Sequence, residues 1–223
     1  MKNSIITVIY SHGRFGSPWY GFKIEALRPI ALSLGVNMIS IRYPEEMPIE
    51  KMEDKLFEVI KDDVNVPGDL VFLSSSRGAY ISTRISTKVH NFFETENKKV
   101  RMDDDKVLPH RHLLGQFLIA PAFYIKPNYY PDQNPKPYTG MDTAIVQGFN
   151  DTVIDYKKTI EFAEKFKTQL FLVEGGHRLN TQREKLCMLF ESFLKDCIKK
   201  SDSLFNEWIK TNPQDNTAQD DRR

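Results

Sequence analysis

The sequence predicts an α/β chain, with six strands in one mostly parallel sheet and helices on both faces. Two observations carry this prediction. Apolar runs of strand length recur at Ile5–Tyr10, Val36–Ile41, Leu70–Ser74, Gln116–Ala120, Ala144–Gln147 and Leu170–Val173. They are continuously apolar rather than alternating, as strands buried on both faces are. Helix-length amphipathic patterns fall between them at Trp19–Leu34, Ile49–Asp62, Gly78–Phe93, Asp155–Thr168 and Thr181–Lys200. This near-strict alternation of strand and helix is the pattern of right-handed βαβ units. A length of 223 residues suits one such domain with a sizeable core.

Taken in order, the first run follows Met1-Lys2-Asn3 and passes straight into Ser11-His12-Gly13. It is too short for a signal peptide and has no small-residue cleavage site, so it is the first strand. The third run breaks at Ser74-Ser75-Ser76-Arg77-Gly78, the fifth at Gly148-Phe149-Asn150-Asp151, and the sixth at Glu174-Gly175-Gly176-His177. Three stretches stand outside the alternation. Residues 94–111 are charged, with Asp103-Asp104-Asp105, and are expected to form a loop lengthening the connection into the fourth strand. Residues 123–140, rich in Pro, Tyr and Asn, are expected to form a short cap or substrate loop. Residues 211–223 are polar and without apolar periodicity. The expected division is therefore a single domain over 1–210 and a disordered tail over 211–223.

Composition narrows the function classes. Lys and Arg number 31 against 30 Asp and Glu, so no global field marks the chain as a nucleic-acid or membrane-surface binder. No stretch approaches the roughly twenty apolar residues of a membrane span. Cys187 and Cys197 share one helical pattern. Their separation of about three turns, roughly 15 Å, prevents a disulfide between them. They read as free thiols in a reducing cytoplasm, and their spacing suggests neither redox nor zinc chemistry.

The segment Ser74–Gly78 has the character of a strand-to-helix turn that lifts a serine hydroxyl into reach of a base. Such a turn needs small residues two before and two after the nucleophile. Ser74 and Gly78 meet that need and single out Ser76, although glycine is usual at the first position. Asp151 and His177 follow at later strand ends, and the glycines before His177 permit an unusual loop backbone. Asp155 competes with Asp151 but is better placed as the N-cap of the next helix. His12 reads as a brace for its own loop. His110 and His112, two residues apart, share no helix face and suggest no metal site with Asp103–Asp105.

These residues together resemble the α/β-hydrolases, in particular small, nearly lidless esterase-like proteins of the bacterial YqiA/YcfP type. The pieces that match are His12-Gly13-Arg14-Phe15-Gly16, the serine turn, Ala120-Pro121-Ala122-Phe123-Tyr124, Gly148 to Tyr156, and Glu174 to His177. The resemblance implies strand order 2-1-3-4-5-6, a minimal cap, and a Ser-Asp-His triad in that chain order. It makes Ser76 the nucleophile, His177 the general base and then acid, and Asp151 the carboxylate that holds the imidazole. It places the oxyanion hole at the backbone amide of Arg77 and at that of Arg14 or Phe15. The implied activity is cofactor-free and metal-free hydrolysis of a small carboxylic ester or thioester through an acyl-enzyme. Peptidase or acyltransferase chemistry on the same triad, and a non-catalytic binding protein of the same fold, are the alternatives. Arg14 and Arg77 flank the expected site and suit an anionic group on the substrate. Trp19, Tyr20, Tyr124, Tyr129 and Tyr130 lie on loops expected near the same face, with Arg14, Trp19 and Tyr124 as candidate substrate contacts. The sequence leaves the oligomeric state open.

Overall fold

The structure is a computed structural model that describes residues 5–99, 102–103, 106–107, 109–124 and 135–212. Its strands are β1 (Ile6–Ser11), β2 (Asn37–Ile41), β3 (Asp69–Ser75), β4 (Leu113–Ile119), β5 (Asp142–Gly148) and β6 (Gln169–Val173). They form one sheet in the order β2-β1-β3-β4-β5-β6, and every neighbouring pair is parallel. The helices are α1 (Phe22–Ser33), α2 (Ile49–Lys61), α3 (Arg77–Asn97), α4 (Tyr156–Phe166) and α5 (Arg183–Thr211).

Strand pleating sorts the apolar side chains into two cores. Ile6, Val8 and Tyr10 of β1 and Val71 and Leu73 of β3 face α1 and α5, where Phe117 meets Phe190 edge to face at 5.4 Å. Ile9, Leu70 and Phe72 point the other way, against Met52, Leu56 and Ile60 of α2 and Tyr80 and Ile81 of α3. Covering both faces is what allows these strands to be apolar throughout.

The register brings the carboxyl ends of the strands to one edge, with Ser11 opposite Ser74, Ser75 opposite Ile119, and Gly148 opposite Val173. From β1 the chain goes outward to β2 and then crosses back to β3. The crevice beyond the ends of β1 and β3 is therefore the switch point at which open α/β sheets bind ligands.

Three boundaries differ from the sequence expectation. Helix α1 starts at Phe22 rather than near Trp19, because Gly21 at φ 110 breaks the helical path. Helix α3 continues to Asn97, so residues 94–97 are helical rather than loop. Beyond it, Met102–Asp103 pairs antiparallel with Lys106–Val107. Arg111 is 3% exposed and donates to the carbonyls of Gly68 and Val66. The described ends of the 94–111 segment thus lie at the edge where strands begin, opposite the Ser76 turn. Helix α5 runs eleven residues past Lys200, because Ser201 and Trp208 are buried by the body of the protein. The tail expected from residue 211 falls, from 213 onward, outside the described residues. So does most of the expected cap, at 125–134.

Candidate active site

Ser76 sits between β3 and α3 at φ 51, ψ −116, a conformation that L-residues hold only under strain. The turn is fixed from both sides. The Ser76 amide donates to Ile119 O on β4 at 3.0 Å, and the Ala122 amide donates to Ser76 O at 3.1 Å. Gly78 is required by crowding, since a Cβ there would lie 2.1 Å from the Ser11 carbonyl oxygen. Two residues before Ser76, Ser74 fits where glycine is usual. It is fully buried, and its hydroxyl has no hydrogen-bond partner among the described residues.

The structure brings Asp151 and His177 to this serine. His177 Nε2 lies 3.0 Å from Ser76 Oγ, and His177 Nδ1 lies 2.8 Å from Asp151 Oδ2. The Asp151 side chain is completely buried. Its Oδ1 accepts from the amides of Val153 and Ile154, each at 2.8 Å, and Oδ2 also accepts from Gln147 Nε2 at 2.8 Å. Burial works to raise its pKa, but hydrogen bonds from His177, the Ile154 amide and Gln147, together with the His177 charge, outweigh burial and hold it below the ordinary carboxylate value. An ionised Asp151 can only accept, so Nδ1 of His177 carries the proton and Nε2 is left to accept from the serine. Asp155 instead caps α4, accepting from the Lys157 amide at 3.0 Å.

The β1–α1 loop forms the opposite wall. The Gly16 amide donates to Gly13 O at 3.1 Å, closing a turn over Arg14 and Phe15, with Phe15 at φ 57. A Cβ on Gly13 would stand 3.0 Å from Ser76 Cβ, so the loop lies directly against the Ser76 turn. His12 braces it, with Nδ1 2.7 Å from Gly13 O and Nε2 accepting from the Tyr43 amide at 3.3 Å. Burial holds His12 below its ordinary pKa. The Gly13 carbonyl works the other way, and the charge of Arg77 adds to burial.

A cleft of about 840 Å³ opens over Ser76 and His177. Phe15, Tyr20 and Val153 give it an apolar rim, and Arg14, Lys23 and Arg178 give it charge. Trp19 and Tyr124 are not among the residues that line it. Trp19 lies under Arg42, 5.8 Å from guanidinium to ring, and Tyr124 under Lys158 at 5.6 Å. The Arg77 side chain is buried and donates to Glu45 O at 3.2 Å, so it braces the segment after β2 rather than reaching the cleft. Tyr129 and Tyr130 lie outside the described residues. His112 is bound to Asp69, 3.0 Å from Nδ1 to Oδ1.

Solved structures share this arrangement of strands and helices. A protein assigned to the α/β-hydrolase superfamily from Xanthomonas campestris superposes with a TM-score of 0.66 at 20% identity, over 85% of this chain and 98% of its own. The chain has the α/β-hydrolase fold. Est1E from Butyrivibrio proteoclasticus matches with a TM-score of 0.68 at 14% identity, over 89% of this chain and 90% of its own. A Pyrococcus furiosus esterase matches at 0.60 and 14% identity, over 90% and 85%. No protein-family model and no curated protein sequence matches the chain. Within this α/β-hydrolase fold, sequence reasoning missed Gln147, Lys23 and Arg178. Only Gln147 left a signal, as an amide closing the apolar run Ala144–Val146.

Proposed function

We propose that the chain is a cytoplasmic serine hydrolase that cleaves a small carboxylic ester or thioester through an acyl-enzyme. The observation that carries this reading is the unbroken chain of contacts Ser76–His177–Asp151, at 3.0 and 2.8 Å, at the mouth of a cleft on the switch-point edge of the sheet. Ser76 Oγ attacks the carbonyl carbon as His177 Nε2 takes its proton. The resulting imidazolium is stabilised by Asp151 and then protonates the leaving alcohol or thiol. Water, deprotonated by His177, releases the acid and restores the serine. The mechanism calls on no cofactor.

The developing oxyanion needs two fixed donors. One is the Arg77 amide, at the first position of α3, where the leading N–H groups of a helix point out of its end. For the second, a trans peptide points its N–H opposite its C=O. Because Gly13 O is held by His12 and Gly16, the Arg14 amide turns the other way, which favours Arg14 over Phe15. His12 is then a positioning residue for that donor.

The test is intact-mass analysis after treatment with a fluorophosphonate. One adduct on the wild type, absent from Ser76→Ala and His177→Ala, is expected. A folded wild type that takes no adduct would favour a binding protein built on the same fold.

A further inference from the structure

We propose that Lys23 and Arg178, together with Arg14, form an anion-holding subsite, so that the ester taken by this cleft carries a carboxylate or phosphate close to its scissile bond. The inference rests on the hydrolase reading and narrows its substrate class. Among the described residues, three cations line the cleft and no carboxylate does. Chain composition does not account for this, since acidic and basic residues are almost equal in number. A one-signed cleft with low-dielectric walls concentrates ligands of the opposite sign.

The placing of the two inner cations is the stronger argument. Lys23 lies in the first turn of α1, and Arg178 directly follows His177. Burial, and then the charge of Arg178, hold the Lys23 ammonium down to about 8. Asp151 draws it back up, yet both Asp151 oxygens are already engaged by His177, Gln147 and two amides. Glu25, two residues further along α1, turns back to accept from the Gly21 amide at 2.8 Å. Among the described residues neither Lys23 nor Arg178 makes an ion pair or hydrogen bond, whereas Lys158, Lys195, Lys199 and Lys200 each pair with a carboxylate. Two like charges held beside a nucleophile without a counter-ion are relieved when a bound anion supplies one.

The experiment compares kcat/KM within two ester pairs. The carboxylate pair is the 4-nitrophenyl monoester of adipic acid and uncharged 4-nitrophenyl 6-methylheptanoate. The phosphate pair is monobutyryl glycerol phosphate and uncharged monobutyrylglycerol. Wild type is expected to prefer the charged member of at least one pair by about tenfold or more, the factor of a charged hydrogen bond. The pair that shows the preference identifies the anionic group. Lys23→Met and Arg178→Met should each cut that ratio about tenfold, while Lys23→Arg keeps most of it. Fluorophosphonate stoichiometry on every variant shows that it is folded and armed. A labelled wild type with ratios near one, or ratios that neither methionine variant moves, overturns the subsite and leaves the hydrolase reading standing. No labelling and no turnover overturns both.

Discussion

A cation held in the cleft at the expense of stability should make Lys23→Met more stable than the wild type. In the folded protein the Lys23 ammonium is lowered from 10.5 to about 8. At about 1.4 kcal/mol for each tenfold change in proton affinity, the cost of keeping it charged at neutral pH is at most about 3.5 kcal/mol. Lys23 is only half-buried. Solvent screening brings the expected gain to about 1–2 kcal/mol, or roughly 2–8 °C in Tm for a chain of this size. Methionine keeps the apolar stem in place and removes only the charged end. The gain should also depend on pH in one direction. Below pH 8 both folded and unfolded wild type carry the charge, and the full penalty applies. Between 8 and 10.5 the folded state sheds its proton while the unfolded state keeps it, so the wild type gains stability and the gap closes. Urea denaturation of both proteins at pH 7 and pH 9.5 measures this. A methionine variant less stable at pH 7, or a gap of constant size, would refute the electrostatic argument.

Three further outcomes are expected. Ser74→Ala removes a buried hydroxyl that has no partner among the described residues, and should stabilise by about 1 kcal/mol in denaturant titration without loss of fluorophosphonate labelling. Gly78→Ala sets a methyl 2.1 Å from the Ser11 carbonyl, which as backbone cannot turn aside. A loss of at least about 3 kcal/mol should follow, with labelling slowed in whatever protein folds. Ending the chain after Lys200 removes the Ser201 hydroxyl bonded at 2.5 Å to Asp69, and with it the buried Trp208. The same loss of about 3 kcal/mol or more is expected there, and unchanged thermal stability would show that the last turns of α5 contribute nothing.

The sheet was legible because its central strands β1, β3 and β4 are buried on both faces and so are written as largely apolar runs. The ends of α3 and α5 were not. Past Lys200, Ser201, Leu204, Phe205 and Trp208 do stand at helical spacing, but the stripe opens on a serine and is flanked by Asp202, Asn206 and Glu207, so it is weak beside the apolar run before it. The meeting of Asp151 and His177 beside Ser76 could be read because each lies within four residues of a strand's carboxyl end, where topology restricts the place a residue can take. Lys23 and Arg178 occupy an ordinary polar position on a helix and an ordinary loop position, and only the folded chain sets both on the wall of one cleft. Arg77 shows the converse. Its place beside Ser76 suggested a hand on the substrate, but the helix that begins there carries its side chain toward Glu45.

Ser76 and His177 are borne by strands of very different standing. β3 is central and buried along its whole length, while β6 is the last strand of the sheet and most of its residues are partly exposed. Subglobal opening of β6 would carry the imidazole away from a serine that stays where it is, giving a state that is inactive and still almost wholly native. On gentle heating, turnover should then fade reversibly before the main unfolding transition. Amide hydrogen exchange should find β6 and the loop to His177 exchanging at a lower free energy than β3.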